Sequence, residues 1–389
     1  MKELTNFLEL GICEQLNQKL QENKLTTPTA VQKQVIPELL QKKSVLFQSE
    51  TGTGKTFAFL LPILQNLNKE DKSPEVIILS PTHELSSQIK SEIKKISDVK
   101  TILCIGGTPL KRQIENLKDK PKIIIGSAVR IKELIFLKKI KTQNINTIVF
   151  DEIDRLIEPE IRDDTIDLLK LLNSDIQVIG CSATIKSNLK KIFEDALSTM
   201  RENSSIDFIE LPLEDILRKK ITHWAIFAEQ RNKIDTLRSL ISAIKPEKLL
   251  IFTSKTDQVA NITQKLQFKK VDCVGLHSKT DKIQRKSIID RFKSGKTKIL
   301  ITSDLAARGL DIQGITHIVQ MDLPSNDDFF IHRAGRTGRA GKDGINIVIG
   351  DGYEMKKYSN LEKKLKIVVY PKALHSGKII NPMEFYSKN

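Results

Sequence analysis

Short runs of apolar, often β-branched residues alternate with longer amphipathic segments through most of the chain. In the first half these runs are SVLFQ, VIILS, TILCIGG, KIIIG, NTIVFDE and QVIGCSA, and in the second half KLLIFTS, VDCVGLH, KILITSD, THIVQMD and GINIVIG. Nearly continuous Val and Ile runs predict strands that are buried on both faces, and their alternation with helices predicts parallel pairing. We therefore predict an α/β protein with two parallel sheets, each covered by helices on both faces.

The length of 389 residues supports the same division. A chain of this size exceeds what one hydrophobic core usually serves, so two domains are the natural expectation. Residues 204–216 combine small polar residues, a proline and weak helical periodicity, which is typical of a linker. We predict an N-terminal domain at 1–208 and a C-terminal domain at 209–389.

Composition argues against a membrane protein. Hydrophobic residues make up 39% of the chain and charged residues 29%, which is typical of soluble globular proteins. No apolar run approaches the roughly 20 residues that span a bilayer. The first residues mix acids with a few apolar side chains and lack the apolar stretch and cleavage site of a secretory signal. We expect a cytoplasmic protein with no membrane segment.

The cysteines are scattered singly along the chain. They are Cys13, Cys104, Cys181 and Cys273. No Cys-x-x-Cys pair occurs, and no histidine stands at metal-ligand spacing from them. This pattern predicts reduced core residues rather than disulfides or a structural zinc site.

Positive charge is concentrated in the second half of the chain. The formal net charge is +15, and nearly all of it falls within residues 211–389. Two interpretations are open at this point. The lysines either aid solubility or form a basic lobe for a polyanionic partner.

A glycine-containing loop stands between the run SVLFQ and the apolar helical pattern FAFLLPIL. A strand, such a loop and a helix are what a phosphate-binding loop requires, because backbone N–H groups and the positive helix end then face the phosphates. Within it, Lys55 is expected to reach the β- and γ-phosphates of a nucleotide, and the Thr56 hydroxyl to bind Mg²⁺. The alternative is an ordinary glycine-rich turn. The predicted nucleotide-binding residues here are Ser49, Glu50, Thr51, Gly52, Thr53, Gly54, Lys55 and Thr56.

An acidic pair follows the apolar run NTIVFDE. At the carboxyl end of a parallel strand, Asp151 is placed to hold magnesium through its water ligands. Its neighbour Glu152 is placed to orient or deprotonate the attacking water. Taken alone, such a sequence is also compatible with a solvated acidic turn. Together with the phosphate loop, it predicts nucleotide hydrolysis.

Further short motifs are spread over both halves. They are Phe7 with Pro28–Gln32, Pro81–Leu85, Gly106–Gly107, Ser127–Arg130, Ser182–Thr184, Ile251–Lys255, Ser303–Asp311 and His332–Arg339. With the phosphate loop and the acidic pair, these motifs resemble the DEAD-box family of RNA helicases over nearly the whole chain. The resemblance implies two tandem RecA-like lobes of the P-loop type, ATP and Mg²⁺ as cofactors, and single-stranded or short duplex RNA as the partner.

The resemblance also implies roles for particular residues in nucleotide handling. Gln32 reads the adenine edge, the ring of Phe7 stacks on adenine, and Asp311 accepts a hydrogen bond from the ribose. Motif Ser182–Thr184, through the hydroxyls of Ser182 and Thr184, links the ATP state to strand separation. The catalytic set is completed by two arginine fingers that reach the γ-phosphate across the cleft, Arg336 and Arg339. For an arginine taken alone, such as Arg333 or Arg339, the alternative is a surface salt bridge.

RNA contacts are implied in both lobes, and they combine phosphate neutralisation with close approach of small residues. The implied contacts are Pro81, Thr82, Gly106, Gly107, Arg130, Thr253, Ser303 and Arg308. Some positions differ from the family pattern. Ile153 replaces an alanine in the acid motif, His83 an arginine, and Ala128-Val129 a Pro-Gly pair. We expect ATP chemistry to survive these changes and unwinding to be the more affected step.

Three functions are compatible with these motifs. The first is an RNA-stimulated ATPase that unwinds short duplexes locally or remodels ribonucleoprotein. The second is an ATP-gated RNA clamp that barely unwinds, motivated by the altered 127–130 segment. The third is a DNA-directed helicase, because phosphate contacts alone do not distinguish the sugars, whereas a 2′-hydroxyl contact does. We expect a monomer, with protein partners supplying target choice.

Overall fold

The computed structural model describes residues 5–50, 52–68, 70–71, 73–183, 185, 187–199, 206–210, 216–307, 312–338 and 342–382. The chain divides into two compact units, Met1–Leu213 and Glu214–Asn389. Each unit is an α/β layer structure built on a largely parallel sheet. The predicted fold class is confirmed.

The first unit contains a seven-stranded sheet. Its strands are β1 (Val45–Gln48), β2 (Val76–Leu79), β3 (Thr101–Cys104), β4 (Ile123–Gly126), β5 (Thr147–Asp151), β6 (Gln177–Ser182) and β7 (Asp207–Glu210), in the spatial order β3-β4-β2-β5-β6-β1-β7. Among the described residues, all of its pairings are parallel. Its helices are α1 (Glu14–Glu22), α2 (Ala30–Leu40), α3 (Lys55–Asn66), α4 (His83–Ile96), α5 (Leu110–Leu117), α6 (Ala128–Phe136), α7 (Ile153–Leu156), α8 (Arg162–Lys170) and α9 (Ser187–Ser198).

Alternate residues of these strands enter two separate hydrophobic cores, one on each face of the sheet. On β1, Val45 and Phe47 pack with α2, α3 and α4, whereas Leu46 packs with the opposite layer, which contains α6, α8 and α9. Because both faces are buried, each strand needs apolar residues at successive positions. This is why the strand segments read as continuous apolar runs in the sequence.

The second unit contains an eight-stranded sheet. Its strands are β8 (Ile221–Phe227), β9 (Leu249–Phe252), β10 (Val274–Leu276), β11 (Ile299–Thr302), β12 (His317–Gln320), β13 (Gly344–Gly350), β14 (Val369–His375) and β15 (Lys378–Ile380), in the order β10-β11-β9-β12-β13-β8-β14-β15. Only the last pair, β14 with β15, is antiparallel among the pairings of the described residues. Its helices are α10 (Ile216–Lys219), α11 (Lys233–Ile244), α12 (Thr256–Phe268), α13 (Lys282–Lys293), α14 (Asp304–Ala307), α15 (Asp327–Ala334) and α16 (Gly352–Leu365).

The predicted linker requires a correction. Residues 207–210, which lie inside the predicted 204–216 linker, form β7 and pair with β1 in parallel register. Phe208 and Ile209 are half-buried there and pack on the cores of the first unit. The strand was hidden in the sequence because an edge strand of four residues has no continuous apolar run. The division between the two compact units falls after Leu213, beyond the predicted boundary at residue 208.

Within the described ranges, none of the helices combines the length and the apolar character that a bilayer span requires.

Candidate active site

The loop after β1 forms a tight turn that leads directly into α3. Gly52 and Gly54 have φ values of +86° and +93°, a backbone region that glycine adopts without steric cost. Gly54 also has no room for a side chain, because an added Cβ would lie 2.6 Å from Nε2 of Gln32. The helix begins at Lys55, so the positive end of α3 faces this loop. The geometry is that of an anion-binding turn at a helix N-terminus.

The polar groups of this loop bond to one another. The Nζ atom of Lys55 donates to the carbonyl oxygens of Ser49 at 2.6 Å and Glu50 at 3.2 Å. The hydroxyl of Thr53 donates to the Glu50 carbonyl at 2.8 Å and lies 2.6 Å from Oγ of Ser49. The ammonium group of Lys55 is thus bonded within the loop itself.

Two further strands end beside this loop, because β6 lies between β1 and β5 in the sheet. Asp151 is the last residue of β5 and Ser182 the last of β6, and their side chains are buried. Carboxyl ends of parallel strands share one edge of a sheet, which is where ligands of open α/β folds bind. The structure thus brings Lys55, Thr56, Asp151, Glu152 and Ser182 to one edge of the first unit.

Asp151 is held by two donors on one oxygen. Its Oδ1 accepts the backbone N–H of Glu152 at 3.1 Å and lies 3.0 Å from Sγ of Cys181. Burial raises the pKa of Asp151 to about 6, and the charge of Glu152 acts in the same direction. The hydrogen bond from Cys181 and the positive charge of Lys55 oppose this shift of the pKa. A cation near the carboxylate would stabilise its ionised form further.

Glu152 stands at the start of α7 in the left-handed region, with φ +53° and ψ +55°. A non-glycine residue in this region carries strain of about 1–3 kcal/mol. The neighbouring bond from the Glu152 N–H to Asp151 helps to hold this conformation. The side chain of Glu152 is half-buried at the same sheet edge. Backbone strain of this kind is common at sites where a side chain must be held in one direction.

Ile153, the residue that departs from the family acid motif, is fully buried under β6. A Cβ at Gly180 would lie 2.7 Å from Cδ1 of Ile153 and 2.5 Å from Cδ2 of Leu46. The missing side chain at Gly180 therefore provides the space that Ile153 fills. With Ile153 in place, Asp151 stands at the end of β5 and Glu152 at the start of α7.

This pairing leads to a stability prediction. We expect Gly180→Ala to lower the free energy of unfolding by about 1–3 kcal/mol through overpacking. In the double variant Gly180→Ala/Ile153→Ala, we expect a loss smaller than the sum of the two single losses, with a coupling of about 0.5–3 kcal/mol. Chemical denaturation measures these values, with Gly106→Ala as the control because an added Cβ there meets nothing within 4 Å. Strictly additive losses would contradict the steric coupling.

The side chain of Gln32 connects α2 with the phosphate loop. Its Oε1 accepts from the N–H of Thr29 at 2.9 Å, and its Nε2 donates to the Gly54 carbonyl at 3.1 Å. Phe7 lies elsewhere, in the hydrophobic core of the first unit, with 2% of its surface exposed. A ring buried in this way has no open face for stacking. We therefore assign Phe7 a packing role and leave it out of the proposed adenine site.

The expected RNA-contacting residues of the first unit also stand at strand ends. Pro81 and Thr82 follow β2, Gly106 and Gly107 follow β3, and Arg130 follows β4 in the first turn of α6. These three strands are neighbours in the sheet, so the residues gather at its carboxyl edge. The structure brings them together as one group.

Arg130 and the altered residues beside it shape the start of α6. The Nη1 of Arg130 donates to the Thr108 carbonyl at 3.1 Å, and its Nε lies 2.9 Å from Glu133. Ala128 is buried, whereas Val129 is 51% exposed. Ala128 and Val129 thus form a regular first helical turn and expose a β-branched side chain at its surface.

In the second unit, Thr253 and Ser303 are buried. The Thr253 hydroxyl donates to Oδ2 of Asp322 at 2.8 Å, and its backbone N–H donates to the Thr302 carbonyl at 3.0 Å. Ser303 is 2% exposed, and its hydroxyl has no hydrogen-bond partner within the described part of the chain. A buried hydroxyl without a partner is available for a hydrogen bond with a bound ligand.

Arg333 is a buried hub and not a surface ion pair, so the salt-bridge alternative is wrong for this residue. Its guanidinium is 1% exposed and forms a two-pronged pair with Asp304, with both distances 2.6 Å. It also donates to the Asp322 carbonyl at 2.9 Å and to Oγ of Ser254 at 2.9 Å. Arg333 therefore joins the segments after β9, β11 and β12 at the carboxyl edge of the sheet. Arg336 follows in the turn after α15 and is half-buried.

Several expected site residues lie outside the described residues. They are Thr51, Thr184, Arg308, Asp311 and Arg339. Sequence reasoning did not identify Cys181, Gly180 or the hub role of Arg333. Their partners stand far away in the chain, and no local pattern marks such contacts.

The first unit provides few groups that could bind magnesium. Within the described ranges, no group of three or more His, Cys, Asp or Glu residues is arranged to hold a metal. A single buried carboxylate, Asp151, and the Thr56 hydroxyl stand near the phosphate loop. Magnesium is commonly bound by one or two carboxylates together with substrate phosphates and waters, so this donor set fits the ion.

Two family models and several known proteins match most of the chain. The family model described as DEAD/DEAH box helicase matches residues 29–192, and the model described as helicase conserved C-terminal domain matches residues 232–341. The chain is 36% identical to the DEAD-box ATP-dependent RNA helicase CshC of Bacillus cereus over 359 residues, which cover 90% of this chain and 89% of that protein.

Two further proteins are also similar over most of the chain. The probable ATP-dependent RNA helicase YfmL of Bacillus subtilis is 35% identical over 355 residues, covering 90% of this chain and 92% of that protein. The structure of S. cerevisiae Dbp5 bound to RNA and ADP BeF3 matches with a TM-score of 0.85 and 25% identity, covering 99% of both chains. On these matches, the chain belongs to the DEAD-box family of ATP-dependent RNA helicases.

Proposed function

We propose that the protein couples RNA-stimulated ATP hydrolysis to local unwinding of short RNA duplexes or to remodelling of ribonucleoprotein. As a member of its family, it is an ATP-hydrolysing RNA helicase. The observation that carries the finer proposal is the arrangement of the first unit. There the phosphate loop, the acidic pair and the expected RNA-contacting residues share the carboxyl edge of one sheet.

The nucleotide is proposed to bind along the loop after β1. Backbone N–H groups of this loop and the N-terminus of α3 bind the phosphates, and Lys55 contacts the β- and γ-phosphates. Gln32 reads the adenine edge, and Asp311 accepts a hydrogen bond from the ribose. The tight contact between Gln32 and Gly54 supports this role, because it ties an adenine-reading side chain to the phosphate loop.

Hydrolysis is proposed to use residues of both units. Thr56 and Asp151 hold magnesium, which neutralises developing charge on the phosphates. Glu152 orients or deprotonates the attacking water, and Arg336 with Arg339 stabilises transition-state charge at the γ-phosphate. Motif Ser182–Thr184 is proposed to link the state of the bound nucleotide to strand separation. The buried position of Asp151 and the strained backbone of Glu152 support these roles.

RNA is proposed to contact residues that follow the ends of strands in each unit. In the first unit, Pro81, Thr82, Gly106, Gly107 and Arg130 approach the phosphate backbone. In the second unit, Thr253, Ser303 and Arg308 are proposed to do so. The buried Ser303 hydroxyl, which has no hydrogen-bond partner among the described residues, supports this proposal. We further propose a monomer that acts in the cytoplasm, with protein partners directing it to its targets.

The function is tested by ATP hydrolysis of the purified full chain. We expect single-stranded RNA to raise the rate about tenfold or more, and DNA of the same sequence to raise it much less. Displacement of a short RNA strand from a duplex should require ATP, and Lys55→Ala should abolish both signals. Equal hydrolysis with and without RNA, together with no strand displacement, would contradict the proposal.

The same experiment separates the alternatives. Nucleotide-dependent RNA binding without strand displacement would favour the clamp, for which the exposed Val129 at the start of α6 is the supporting observation. Equal activation by DNA and RNA would favour a DNA-directed helicase.

A further inference from the structure

A cysteine thiol touches the catalytic-site carboxylate of the first unit. The Sγ atom of Cys181 lies 3.0 Å from Oδ1 of Asp151, and both side chains are buried. The two residues are direct partners in the parallel pairing of β5 with β6. Their side chains therefore leave the sheet on the same side, and the strand register itself sets the contact.

The chemistry of the pair fixes the direction of this hydrogen bond. A thiol is a weak donor, and an ionised carboxylate accepts only. The S–H of Cys181 therefore donates to Asp151. The N–H of Glu152 donates to the same oxygen at 3.1 Å. Two donors on Oδ1 resist rotation of the carboxylate, and the described residues place no hydrogen bond on Oδ2.

We propose that Cys181 is a positioning residue that fixes the Asp151 carboxylate so that Oδ2 is the oxygen presented to magnesium. The inference rests on the proposed role of Asp151 as the magnesium carboxylate. Hydrogen-bond partners that orient a ligand to a metal commonly change metal affinity or activity about 10–100-fold when they are removed. A thiol is a weaker donor than most such partners, so the effect here belongs at the low end of this range.

The packing around Cys181 allows the donor to be separated from the volume. Apart from Asp151, Cys181 packs in the hydrophobic core that contains Phe47, Val149 and Ile179. Alanine and serine are nearly equal in size, and both leave a small void in this core. They differ in the hydroxyl, which can donate to Asp151 in place of the thiol. The comparison of Cys181→Ala with Cys181→Ser therefore isolates the hydrogen bond.

The experiment measures binding of a fluorescent ADP derivative to the full chain as a function of free Mg²⁺. We expect Cys181→Ala to raise the Mg²⁺ concentration at half-maximal effect by about tenfold. Affinity for the nucleotide in excess chelator should not change, and Cys181→Ser should restore most of the Mg²⁺ response. Cys104→Ala is the matched control, because Cys104 is equally buried in the same sheet but stands on β3.

Asp151→Asn separates a failure of this inference from a failure of the proposed function. If Asp151→Asn keeps a normal Mg²⁺ response, the metal role of Asp151 fails and the inference fails with it. If Asp151→Asn loses the response while Cys181→Ala keeps it, only the positioning role is overturned. Equal shifts in Cys181→Ala and Cys181→Ser, or a similar shift in Cys104→Ala, would also overturn it, because packing would then be the cause. Cys181→Ala should have no further effect in the Asp151→Asn background.

Discussion

In Glu152→Gln, ATP turnover is expected to fall about 10²–10⁴-fold, because glutamine keeps the size of the side chain but cannot accept a proton from water. The backbone of residue 152 should keep its left-handed conformation, since the N–H bond to Asp151 does not involve the changed group. Nucleotide affinity should therefore remain close to normal. Single-turnover hydrolysis and equilibrium nucleotide binding, measured on the same sample, check the two expectations.

Glu160→Gln is the matched control for this variant. Glu160 is exposed, lies eight positions farther along the chain and undergoes the same change of charge. Its substitution should leave turnover unchanged. Near-normal turnover in Glu152→Gln would remove the assignment of Glu152 as the group that activates water. A parallel loss of nucleotide affinity would instead show that the side chain supports the ground state.

In Arg336→Ala, turnover is expected to fall about 10³–10⁵-fold with little loss of nucleotide affinity. The reason is that an arginine finger acts on charge that develops in the transition state and contributes little to the bound ground state. Arg336 is separate in role from Arg333, which is already fully engaged with Asp304 and Asp322. Measuring the maximal rate and the ATP concentration at half-maximal rate, with saturating RNA, separates the two effects.

Two further variants make this test specific. Arg336→Lys keeps the positive charge but loses the planar fork of donors, so we expect an intermediate rate. Arg238→Ala removes an exposed arginine from α11 in the same unit and should leave the rate unchanged. If Arg336→Ala weakens nucleotide binding as much as it slows hydrolysis, Arg336 binds the ground state and is not a finger.

The sequence predicted the fold class and the main parts of the nucleotide site because their signals are local. A strand, the loop around Gly54 and a helix beginning at Lys55 are consecutive, and Asp151 and Glu152 directly follow a buried strand. The contact of Cys181 with Asp151 and the pairing of Arg333 with Asp304 arise from strand register and loop packing. Both contacts join residues about thirty positions apart, and no short sequence pattern predicts such contacts.

Edge and mixed-polarity strands were the other features that escaped sequence reasoning. β8 contains a buried histidine, His223, whose ring bonds to the Leu217 carbonyl at 2.7 Å and to Asn346. Such a polar residue breaks the apolar run expected of a central strand. β14 and β15 form the edge of the second sheet with half-exposed residues, where the core imposes no continuous apolar pattern.

Phe7 shows the limit of reasoning from motifs. Its position before α1 matches the family pattern, yet its ring packs in the core with 2% exposure. A motif predicts the residue type at a position, whereas burial in the structure shows whether the side chain faces a ligand or the core.

On the proposed phosphate contact of Lys55, its bonds to the Ser49 and Glu50 carbonyls have a consequence for nucleotide release. After release, the ammonium group would have two backbone acceptors rather than water alone. We expect the nucleotide to gain less net affinity from Lys55, because bonds within the loop must break when it binds. An enzyme that must release its product in every cycle is served by such a balance.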